Sequence, residues 1–400
     1  MSARRVAIVV PGLVTAGGVP TVAAFLYRVM TRSGQYEPHL FSLPMSSRDE
    51  CSVRLTEPRT WLRGPRIEWG IWNGWPYQHV GAIGVELEFQ RYQPRHRLTR
   101  ALADYDLVQV VAGTPAWAYP TSNLRQPVCL QVATLARVER QSLIRETTGA
   151  RRLWIKVMNQ IVNRIENAAL SHLVVVFVEN RWMYDHLCQK MGSERVVFAP
   201  PGVDTEQFYP DQYNPEGHIL CVGRLSDPRK NVRLLFRAYH RLRQILPSAP
   251  QLVLAGKTLP SSDAWQLVES LGIADYVQAL RDLPEKALAE LYRRASLFVL
   301  PSDEEGLGIV VLEAMASGIP VVATRCGGPE VTVVDGETGY LVPVGDSEAF
   351  AVRMSDVLSS PRQAKEMGRA GRKRVENHFS FAAAATKFLE QYDRILSEAV

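Results

Sequence analysis

Short apolar runs that alternate with helical stretches dominate this 400-residue sequence. The first run, over residues 6–10, is apolar at every position, as in a strand buried on both faces of a sheet. A glycine-rich turn over residues 12–18 follows, and then a helical pattern over residues 21–32. Repetition of this unit is typical of parallel strands connected by helices. The sequence therefore predicts an α/β fold.

The alternation is broken once, near the middle of the chain. Pro200, Pro201 and Gly202 form a break that predicts a linker, and a second series of strands and helices begins after it. We expect two doubly wound, Rossmann-like domains over residues 1–200 and 201–380, with a last helix over 381–400 that crosses back to the first domain. Ligands of such domains bind at the carboxyl ends of the strands, which predicts a site in a cleft between the two domains.

The expected strands are short and evenly distributed. They lie at residues 6–10, 39–43, 107–111, 128–132 and 173–178 in the first half, and at 219–222, 251–255, 277–280, 297–300, 321–324 and 339–342 in the second. Residues 44–94 are rich in aromatic side chains. Their apolar residues follow neither the period of a helix nor that of a strand, so no element is assigned to them.

Composition excludes several other classes of protein. With 46% apolar and 22% charged residues the chain is neither disordered nor fibrous. Its five cysteines are widely spaced and contain no C-x-x-C, which argues against a zinc site or a disulfide framework and favours the cytoplasm. No apolar run approaches the 18 residues of a membrane span.

Charge is divided unevenly between the two halves. Residues 1–200 carry 24 basic and 15 acidic side chains, a net +9, whereas residues 201–400 carry 22 and 26, a net −4. This division indicates different partners for the two domains. The basic half favours an anionic acceptor molecule or contact with the inner face of a membrane.

The most informative segment contains two glutamates eight residues apart. Glu305 follows the strand expected at 297–300, and Glu313 lies in the helix expected at 308–317. At about 100° per residue the two carboxylates are roughly 80° apart, so both can face one cleft. Carboxylates suit sugar or ribose hydroxyls, and the glycine-rich start of a helix suits phosphate. A nucleotide sugar carries all of these groups.

Three other turns have similar chemistry. Arg224 and Lys230 flank a turn between a strand and a helix, where two cations can bracket a diphosphate or can simply be solvated. Gly17 and Gly18 follow the first strand, where a backbone without side chains can approach a phosphate. Gly327-Gly328-Pro329-Glu330 is a third strand-to-helix turn.

The order of these segments resembles that of the retaining GT-B glycosyltransferases of family 4, the glycosyl transferases group 1. The resemblance covers nearly the whole chain except residues 44–94. The matching segments are Gly17-Gly18, Pro201-Gly202-Val203-Asp204, Gly223-Arg224 to Lys230-Asn231, Glu305-x7-Glu313, Gly327-Gly328-Pro329-Glu330, Thr338 to Val342, and Phe379-Ser380-Phe381.

This resemblance implies a role for each matching residue. Glu313 would bind the ribose hydroxyls of the donor nucleotide, and Glu305 would contact the donor sugar. Arg224 and Lys230 would neutralise the leaving diphosphate, so that Glu305, Arg224 and Lys230 form the catalytic set. The remaining donor contacts would come from the backbone of Gly306, Leu307, Gly308, Ile309, Gly17 and Gly18, with the base held near residues 280–283.

The implied activity is transfer of a hexose from a nucleoside diphosphate sugar with retention, without a metal ion or a cofactor. The implied acceptor is a sugar, a cell-envelope glycan or a lipid-linked molecule. Many members carry a histidine in a T-x-H pattern after the strand that matches residues 128–132, and Ala136 stands at that position here. The alternatives are a sugar-nucleotide-binding pseudoenzyme and a nucleotide-sugar epimerase. No nucleic-acid-binding motif is present.

Two further groups of residues have open interpretations. The tryptophans at 61, 69, 72 and 75 either form a platform for a sugar acceptor or pack an irregular segment. A basic run precedes an amphipathic stretch, which either docks to anionic lipid or forms a core helix with one solvated face. The run comprises Arg137, Arg140, Arg145, Arg151 and Arg152, and the stretch comprises Leu153, Val157, Ile161 and Ile165.

Overall fold

The structure, a computed structural model, describes residues 3–14, 17–141, 144 and 147–398. The chain forms two compact units. The first runs from the N-terminus to Pro201 and includes the C-terminal segment from Ala385 onward, and the second comprises Gly202–Ala384. Both units are α/β, as the alternation of apolar runs and helical stretches predicts.

The first unit is built on an eight-stranded sheet with the order β3-β4-β2-β1-β5-β6-β7-β8. All neighbouring pairs are parallel except β3 and β4. The strands are β1 Arg4–Pro11, β2 Tyr36–Leu43, β3 Ile67–Trp72, β4 Trp75–Val80, β5 Leu107–Ala112, β6 Val128–Val132, β7 Val175–Val178 and β8 Val196–Phe198.

Helices cover the first sheet. The α-helices are Gly18–Ser33, Pro58–Trp61, Glu88–Arg91, His96–Leu102, Ala136–Glu139, Gly149–His172 and Arg181–Met191, and the 3-10 helices are Pro115–Thr121 and Ser193–Arg195. The sheet is buried on both sides, which is why β1 and β5 are apolar at almost every position.

The second unit has six parallel strands in the order β11-β10-β9-β12-β13-β14. They are β9 His218–Arg224, β10 Leu252–Thr258, β11 Val277–Arg281, β12 Ala295–Leu300, β13 Val321–Thr324 and β14 Gly339–Val342. In sequence order this is 3-2-1-4-5-6, the arrangement of a doubly wound sheet. The connections therefore reverse direction between β9 and β12.

The second sheet is also flanked by helices. The α-helices are Val232–Ile245, Ser262–Ser270, Glu285–Arg293, Ile309–Ala316, Pro329–Thr332, Ser347–Leu358, Pro361–His378 and Phe381–Glu398, and the 3-10 helices are Pro228–Lys230 and Ala274–Tyr276. The residues of the last helix from Ala385 onward pack on the first sheet. There Tyr392 donates a hydrogen bond to Gln109 Oε1 at 2.8 Å, and the Phe388 ring lies 4.7 Å from that of Phe177.

Residues 44–94, which the sequence left unassigned, contain the hairpin β3–β4. Its turn is Asn73-Gly74, with φ of 52° and 80°, and Trp72 pairs with Trp75 across it. An Asn-Gly pair favours the left-handed turn that joins two twisted strands. Strand β4 then pairs with β2 and extends the sheet. The hairpin signal was therefore present in the sequence.

Within the described residues, no helix combines the length and the apolar character that a membrane span requires.

Candidate active site

The loops that follow β9 and β12 stand side by side at the carboxyl edge of the second sheet. These two strands are neighbours, and the helical connections leave them in opposite directions. Such a switch point leaves an open space outside the strand ends, which is the usual ligand site of a doubly wound sheet. Arg224 ends β9 and Glu305 follows β12, so the topology brings the two segments together.

Lys230 and Glu305 form an ion pair between these two loops. Lys230 Nζ donates to Glu305 Oε1, and Ser302 Oγ donates to the same oxygen at 2.7 Å. The Lys230 and Glu305 side chains are only 16% and 10% exposed, so water screens the pair weakly. The sequence singled out Lys230 and Glu305 separately, but it gave no signal for Ser302.

A second set of hydrogen bonds ties the same loops together. Asn231 has a φ of 41° and caps the helix Val232–Ile245 by accepting from Leu234 N at 3.2 Å. Its Nδ2 donates to Asp303 Oδ1 at 2.8 Å, and Asp303 N donates to Arg229 O at 2.8 Å. These bonds hold Lys230 opposite Glu305, and they explain why the Lys-Asn pair belongs to the motif.

Arg224 stands at the open side of this cluster. Its side chain is 42% exposed, and its Nη2 lies 3.2 Å from Asp227 Oδ2. Arg229 also pairs with Asp227, at 2.9 Å. Burial opposes ionisation of Asp227, but the hydrogen bonds and charges of Arg229 and Arg224 outweigh it and lower its pKa. Asp227 therefore orients the guanidinium of Arg224 while leaving part of it accessible.

The Gly327-Gly328 turn packs directly on the backbone around Glu305. Glu305 N donates to Cys326 O, and Gly328 N donates to Glu305 O, both at 3.0 Å. A Cβ atom at position 328 would lie 2.4 Å from the carbonyl carbon of Leu307, so a side chain there cannot fit. Glu330 Oε2 accepts from Gly327 N at 2.8 Å. The turn thus fixes the backbone that carries Glu305.

The helix Ile309–Ala316 begins at the end of the Glu305 loop. Gly308 has a φ of 75° and provides no side-chain cap, and the first N–H groups of a helix have no partners within it. Because the helix begins only at Ile309, Glu305 is not helical. The 80° estimate, which assumed eight helical residues, therefore does not relate Glu305 to Glu313. Glu313 lies just over one turn into the helix, as predicted.

Glu313 has a different environment from Glu305. Its Oε2 accepts a hydrogen bond from the Tyr292 hydroxyl at 2.7 Å. Burial raises the pKa of Glu313 to about 7, although the Tyr292 hydrogen bond acts in the opposite direction. Tyr292 is fully buried on the helix Glu285–Arg293, and its sequence context does not distinguish it from a core aromatic residue.

The segment assigned to the base, residues 280–283, comprises the last two residues of the edge strand β11 and the two that follow it. Asp282 has a φ of 52°, and its N–H donates to Gly256 O at 3.2 Å. The backbone there is held in a turn whose residues are partly or fully exposed.

Gly17 and Gly18 lie in the first unit, at the start of its first helix. Gly17 has a φ of 135°, which favours glycine, and its carbonyl accepts from Thr21 N at 3.4 Å and Thr21 Oγ1 at 3.2 Å. A Cβ atom at Gly18 would meet nothing within 4 Å. Space therefore does not require glycine at position 18.

Ala136 is not an open position at the end of β6. Only 3% of it is exposed, it belongs to the hydrophobic core, and its N–H donates to the buried carboxyl of Glu166 at 3.0 Å. The partly exposed small residue of this segment is Ala133, whose carbonyl accepts from Asn180 Nδ2 at 3.0 Å. A side chain at position 136 therefore lies in the core, and the assignment of the family histidine's position to Ala136 stays a prediction.

Packing explains part of the tryptophan group, and the interpretation as an acceptor platform stays a prediction. Trp75 stacks on Tyr27 with ring centroids 4.2 Å apart, and Trp72 packs edge-on against Trp75 at 5.8 Å. Trp61 Nε1 donates to Arg54 O at 2.8 Å. Trp69, by contrast, is 71% exposed on the edge strand β3. Packing therefore accounts for Trp72 and Trp75 but not for Trp69.

This combination of a doubly wound fold and a switch-point cluster places the chain in a known class. The sequence pattern of the family described as "Glycosyl transferases group 1" matches residues 204–374, which contain every feature of the cluster. A relative that is 33% identical over 301 residues extends the match over 69% of this chain. The chain belongs to the group 1 glycosyltransferases, enzymes that use sugar nucleotides.

Three particular relatives show the range of the similarity. The first is the GDP-mannose-dependent alpha-(1-6)-phosphatidylinositol monomannoside mannosyltransferase of Mycolicibacterium smegmatis, of which 74% is covered. The second is the MMP alpha-(1->4)-mannosyltransferase of Mycolicibacterium hassiacum, 30% identical over 265 residues, which are 66% of this chain and 61% of that protein. A D-inositol 3-phosphate glycosyltransferase of Segniliparus rotundus is 32% identical, with 49% of it covered.

Solved structures show the same fold over almost the whole chain. The sucrose-phosphate synthase of Thermosynechococcus elongatus matches with a TM-score of 0.73 at 20% identity, covering 99% of this chain and 100% of that one. The Anabaena protein HepE in complex with UDP-glucose matches with a TM-score of 0.71 at 16% identity, covering 98% and 99%. The prediction of a GT-B fold is confirmed.

Proposed function

We propose that this protein transfers a hexose from a nucleoside diphosphate sugar, with retention of configuration, to an acceptor that carries a phosphate group. The observation that supports this most is the Lys230–Glu305 cluster at the switch point of the second sheet. It combines cations for a diphosphate with a carboxylate for a sugar, directly beside the start of a helix.

The cations have a distinct role in this proposal. Lys230 and Arg224 neutralise the diphosphate as it departs, while the amides from Gly306 to Ile309 hold phosphate and sugar oxygens at the helix N-terminus. Arg224 is suited to this role because Asp227 orients it and leaves it partly exposed. The diphosphate then shares the positive charge of Lys230 with Glu305.

The two glutamates bind different parts of the donor, the transferring sugar and the ribose. Glu305 faces the transferring sugar, because it lies in the same loop as the amides that hold that sugar's phosphate. Glu313 binds the ribose hydroxyls, and Tyr292 fixes its carboxylate from the buried side. Both carboxylates accept hydrogen bonds from hydroxyl groups of the donor.

Retention is explained by attack on the face that the diphosphate leaves. The bond between the anomeric carbon and the phosphate oxygen breaks, the acceptor oxygen bonds to the same face, and the departing phosphate takes the acceptor proton. No pair of carboxylates at glycosidase spacing is needed. The positive charge of Arg224 and Lys230 supports turnover without a metal ion.

Charge and the relatives' names support the choice of acceptor. The first 200 residues carry a net +9, which attracts anions. Two of the relatives are named for acceptors with phosphate groups, phosphatidylinositol monomannoside and D-inositol 3-phosphate. The described cysteines, all five, are free thiols, which fits a cytoplasmic enzyme that meets a membrane-bound acceptor at the inner face.

A panel of donors tests the proposal. Melting temperatures are measured with UDP-, GDP- and ADP-sugars, since a ligand at 100 times its Kd adds about 2.7 kcal/mol to stability. The stabilising donor is then incubated with inositol phosphates and phosphatidylinositol glycolipids, and nucleoside diphosphate release and the anomeric configuration of the product are recorded. Lys230→Ala should abolish release, whereas Lys365→Ala, a change at an exposed lysine of the helix Pro361–His378, should not.

The donor panel also distinguishes the alternatives. A pseudoenzyme, which the lack of the family histidine at Ala136 would suit, binds a donor without releasing diphosphate with any acceptor. An epimerase converts the donor in the absence of any acceptor. Product with inverted configuration would contradict the retaining mechanism but not the assignment as a transferase.

A further inference from the structure

The helix Gly149–His172 in the first unit has two apolar faces, although only one is packed. Its buried face contains Ile155, Met158, Val162 and Ile165. On the opposite side Leu153, Trp154 and Val157 are 65%, 56% and 42% exposed. The amphipathic stretch predicted from sequence is thus divided, because Ile165 lies in the core whereas Leu153 and Val157 face outward. We call Leu153, Trp154 and Val157 the outer stripe.

Exposed cations surround the outer stripe. Arg151, Arg152 and Lys156 lie in the same two turns and are exposed, and Arg164 follows on the same side. Residues 149–165 contain no acidic residue. The first acidic residue of the helix is Glu166, which is buried beneath Ala136. Among the described residues, no carboxylate pairs with Arg151, Arg152 or Lys156. Arg145 of the same basic run lies outside the described residues.

Exposed apolar side chains flanked by cations are suited to the surface of an anionic bilayer. A helix with exposed large apolar side chains and flanking cations lies in the interface of a bilayer, with its apolar groups about 5–10 Å deep and its cations at anionic headgroups. Tryptophan is enriched at that depth because its ring is apolar and its N–H is polar. Lysine and arginine side chains near an anionic leaflet are attracted to its negative surface charge.

Charge also argues against a second copy of the chain as the occupant. In a two-fold dimer the same patch faces itself, so the cations of one copy would meet the cations of the other. With no acidic residue on the exposed face, such a contact brings only like charges together, which is unfavourable. An anionic membrane supplies both the apolar interior and the countercharge.

We propose that the outer stripe of the helix Gly149–His172 docks the first unit on an anionic bilayer. Leu153, Trp154 and Val157 enter the acyl boundary, and Arg151, Arg152 and Lys156 contact the headgroups. This surface is separate from the residues proposed to bind the donor, which all lie elsewhere in the chain. Docking there brings the enzyme to acceptors that reside in the membrane.

Co-sedimentation of the full chain with lipid vesicles tests the proposal. We expect binding to vesicles of phosphatidylcholine mixed with phosphatidylglycerol, weaker binding to phosphatidylcholine alone, and a decrease as salt rises, because exposed charges are screened over about 10 Å at 0.1 M salt. The triple variant Leu153→Ser, Trp154→Ser, Val157→Ser should lose at least tenfold in binding. The double variant Arg151→Glu, Arg152→Glu should lose as much.

Matched variants elsewhere serve as controls. Trp69→Ser removes a tryptophan of β3 that is even more exposed than Trp154, and Arg369→Glu with Lys373→Glu reverses two exposed charges of the second unit. Both should bind anionic vesicles like the wild type. Wild-type binding by the triple variant, or loss of binding in Trp69→Ser alone, would overturn the proposal. So would a wild-type dimer that the triple variant converts to a monomer in light scattering.

Donor binding separates this proposal from the proposed function. Calorimetry with the stabilising nucleotide sugar, in the absence of vesicles, should give the same affinity for the wild type and for the triple variant. If the wild type binds vesicles but no sugar nucleotide, the function is wrong and the docking surface stands. If it binds a sugar nucleotide but no anionic vesicle, the docking surface is wrong and the function stands.

Discussion

Glu305 and Glu313 belong to one motif and are separated by eight residues, yet their surroundings are opposite in kind. Glu305 lies in a loop between a cation and a hydroxyl group, with Lys230 and Ser302 on the same oxygen. Glu313 lies on a helix, where the neutral hydroxyl of Tyr292 donates a hydrogen bond to it and burial raises its pKa to about 7. The Glu305 carboxylate is thus matched by an opposite charge, whereas Glu313 is poised to change protonation near neutral pH.

This difference connects each environment to a part of the reaction. The group whose charge changes during transfer is the sugar, and a carboxylate already balanced by a lysine can respond to it electrostatically. The ribose does not change during the reaction, so a contact with it binds substrate and transition state equally. The loop should therefore determine the rate of transfer, and the helix should determine donor affinity.

The largest expected effect is that of Glu305→Ala. Loss of this carboxylate removes electrostatic stabilisation of the transferring sugar and leaves Lys230 without its partner. We expect kcat to fall by about 100-fold or more, the size usual for loss of one preorganised electrostatic group. Donor affinity should change much less, as steady-state kinetics and calorimetric donor binding can establish.

The neighbouring acid provides the control for this measurement. Glu304→Ala changes a carboxylate of the same loop that interacts with Arg229 at 3.4 Å instead of with Lys230. It should keep most of the wild-type kcat. A Glu305→Ala enzyme that turns over at the wild-type rate would refute the assigned role of the loop, as would equal losses in both variants.

Glu313→Ala is the next largest change and should act on KM. A hydrogen bond to a charged group contributes about 1.5–3 kcal/mol, or roughly 10- to 150-fold in affinity. The KM for the donor should rise by that factor with kcat little changed. Normal nucleotide binding by this variant would show that Glu313 only supports the helix.

Glu313→Gln separates binding from stability. The pKa of Glu313 is raised from 4.5 in the unfolded chain to about 7 in the folded one, so the folded state prefers the protonated form. Its contribution to stability is present below about pH 4.5 and is lost as pH rises towards 7. The glutamine variant should therefore show a flatter dependence of Tm on pH between 5 and 8 than the wild type.

Much of the fold could be predicted because it depends on local patterns. Strands such as β6 and β13 are short, apolar and bounded by turns, and their limits agree with the sequence prediction to the residue. The hairpin β3–β4 was missed because its strands alternate only weakly and expose Trp69 and Ile71. Only the Asn-Gly pair of its turn indicated a hairpin in the sequence.

The candidate site could be predicted only in part, for a related reason. Lys230 and Glu305 stand in recognisable turns, so their types and positions were informative. Ser302 and Tyr292 contribute through contacts that depend on how the loops pack, and both look like ordinary buried residues in sequence. The burial of Ala136 directly after β6 could not be predicted either, because no local pattern indicates it.

Tyr292→Phe should have a moderate effect on donor binding by Glu313. The hydroxyl favours the ionised form of Glu313, so its removal raises the pKa of that carboxyl further. At pH 7 we expect the donor KM to rise about 2- to 10-fold, the range of one ordinary hydrogen bond. The rise in KM on acidification should begin at a higher pH than in the wild type.

A second buried tyrosine distinguishes positioning from packing. Tyr239 is also fully buried, and its hydroxyl donates to Pro250 O at 2.9 Å, away from the site. Tyr239→Phe should lower the Tm without moving the pH profile of KM. If Tyr292→Phe behaves in the same way, the hydroxyl has only a structural role.

The smallest expected effect is that of chelation, which should change nothing. In the Glu305 loop the leaving diphosphate meets Lys230, Arg224 and the amide groups at the start of the helix Ile309–Ala316, so its negative charge is balanced by the protein itself. Glu313, by contrast, accepts from the neutral hydroxyl of Tyr292, so we expect the positive charge to come from the loop. Activity with the identified donor should therefore survive dialysis against EDTA without loss of rate, and added Mg²⁺ should not raise it.

The variant Arg224→Ala makes the test sharper, because it should lose activity whether or not Mg²⁺ is present. Complete loss of turnover on chelation, restored by Mg²⁺ or Mn²⁺, would show that the loop cations are insufficient and that the diphosphate departs bound to a metal ion.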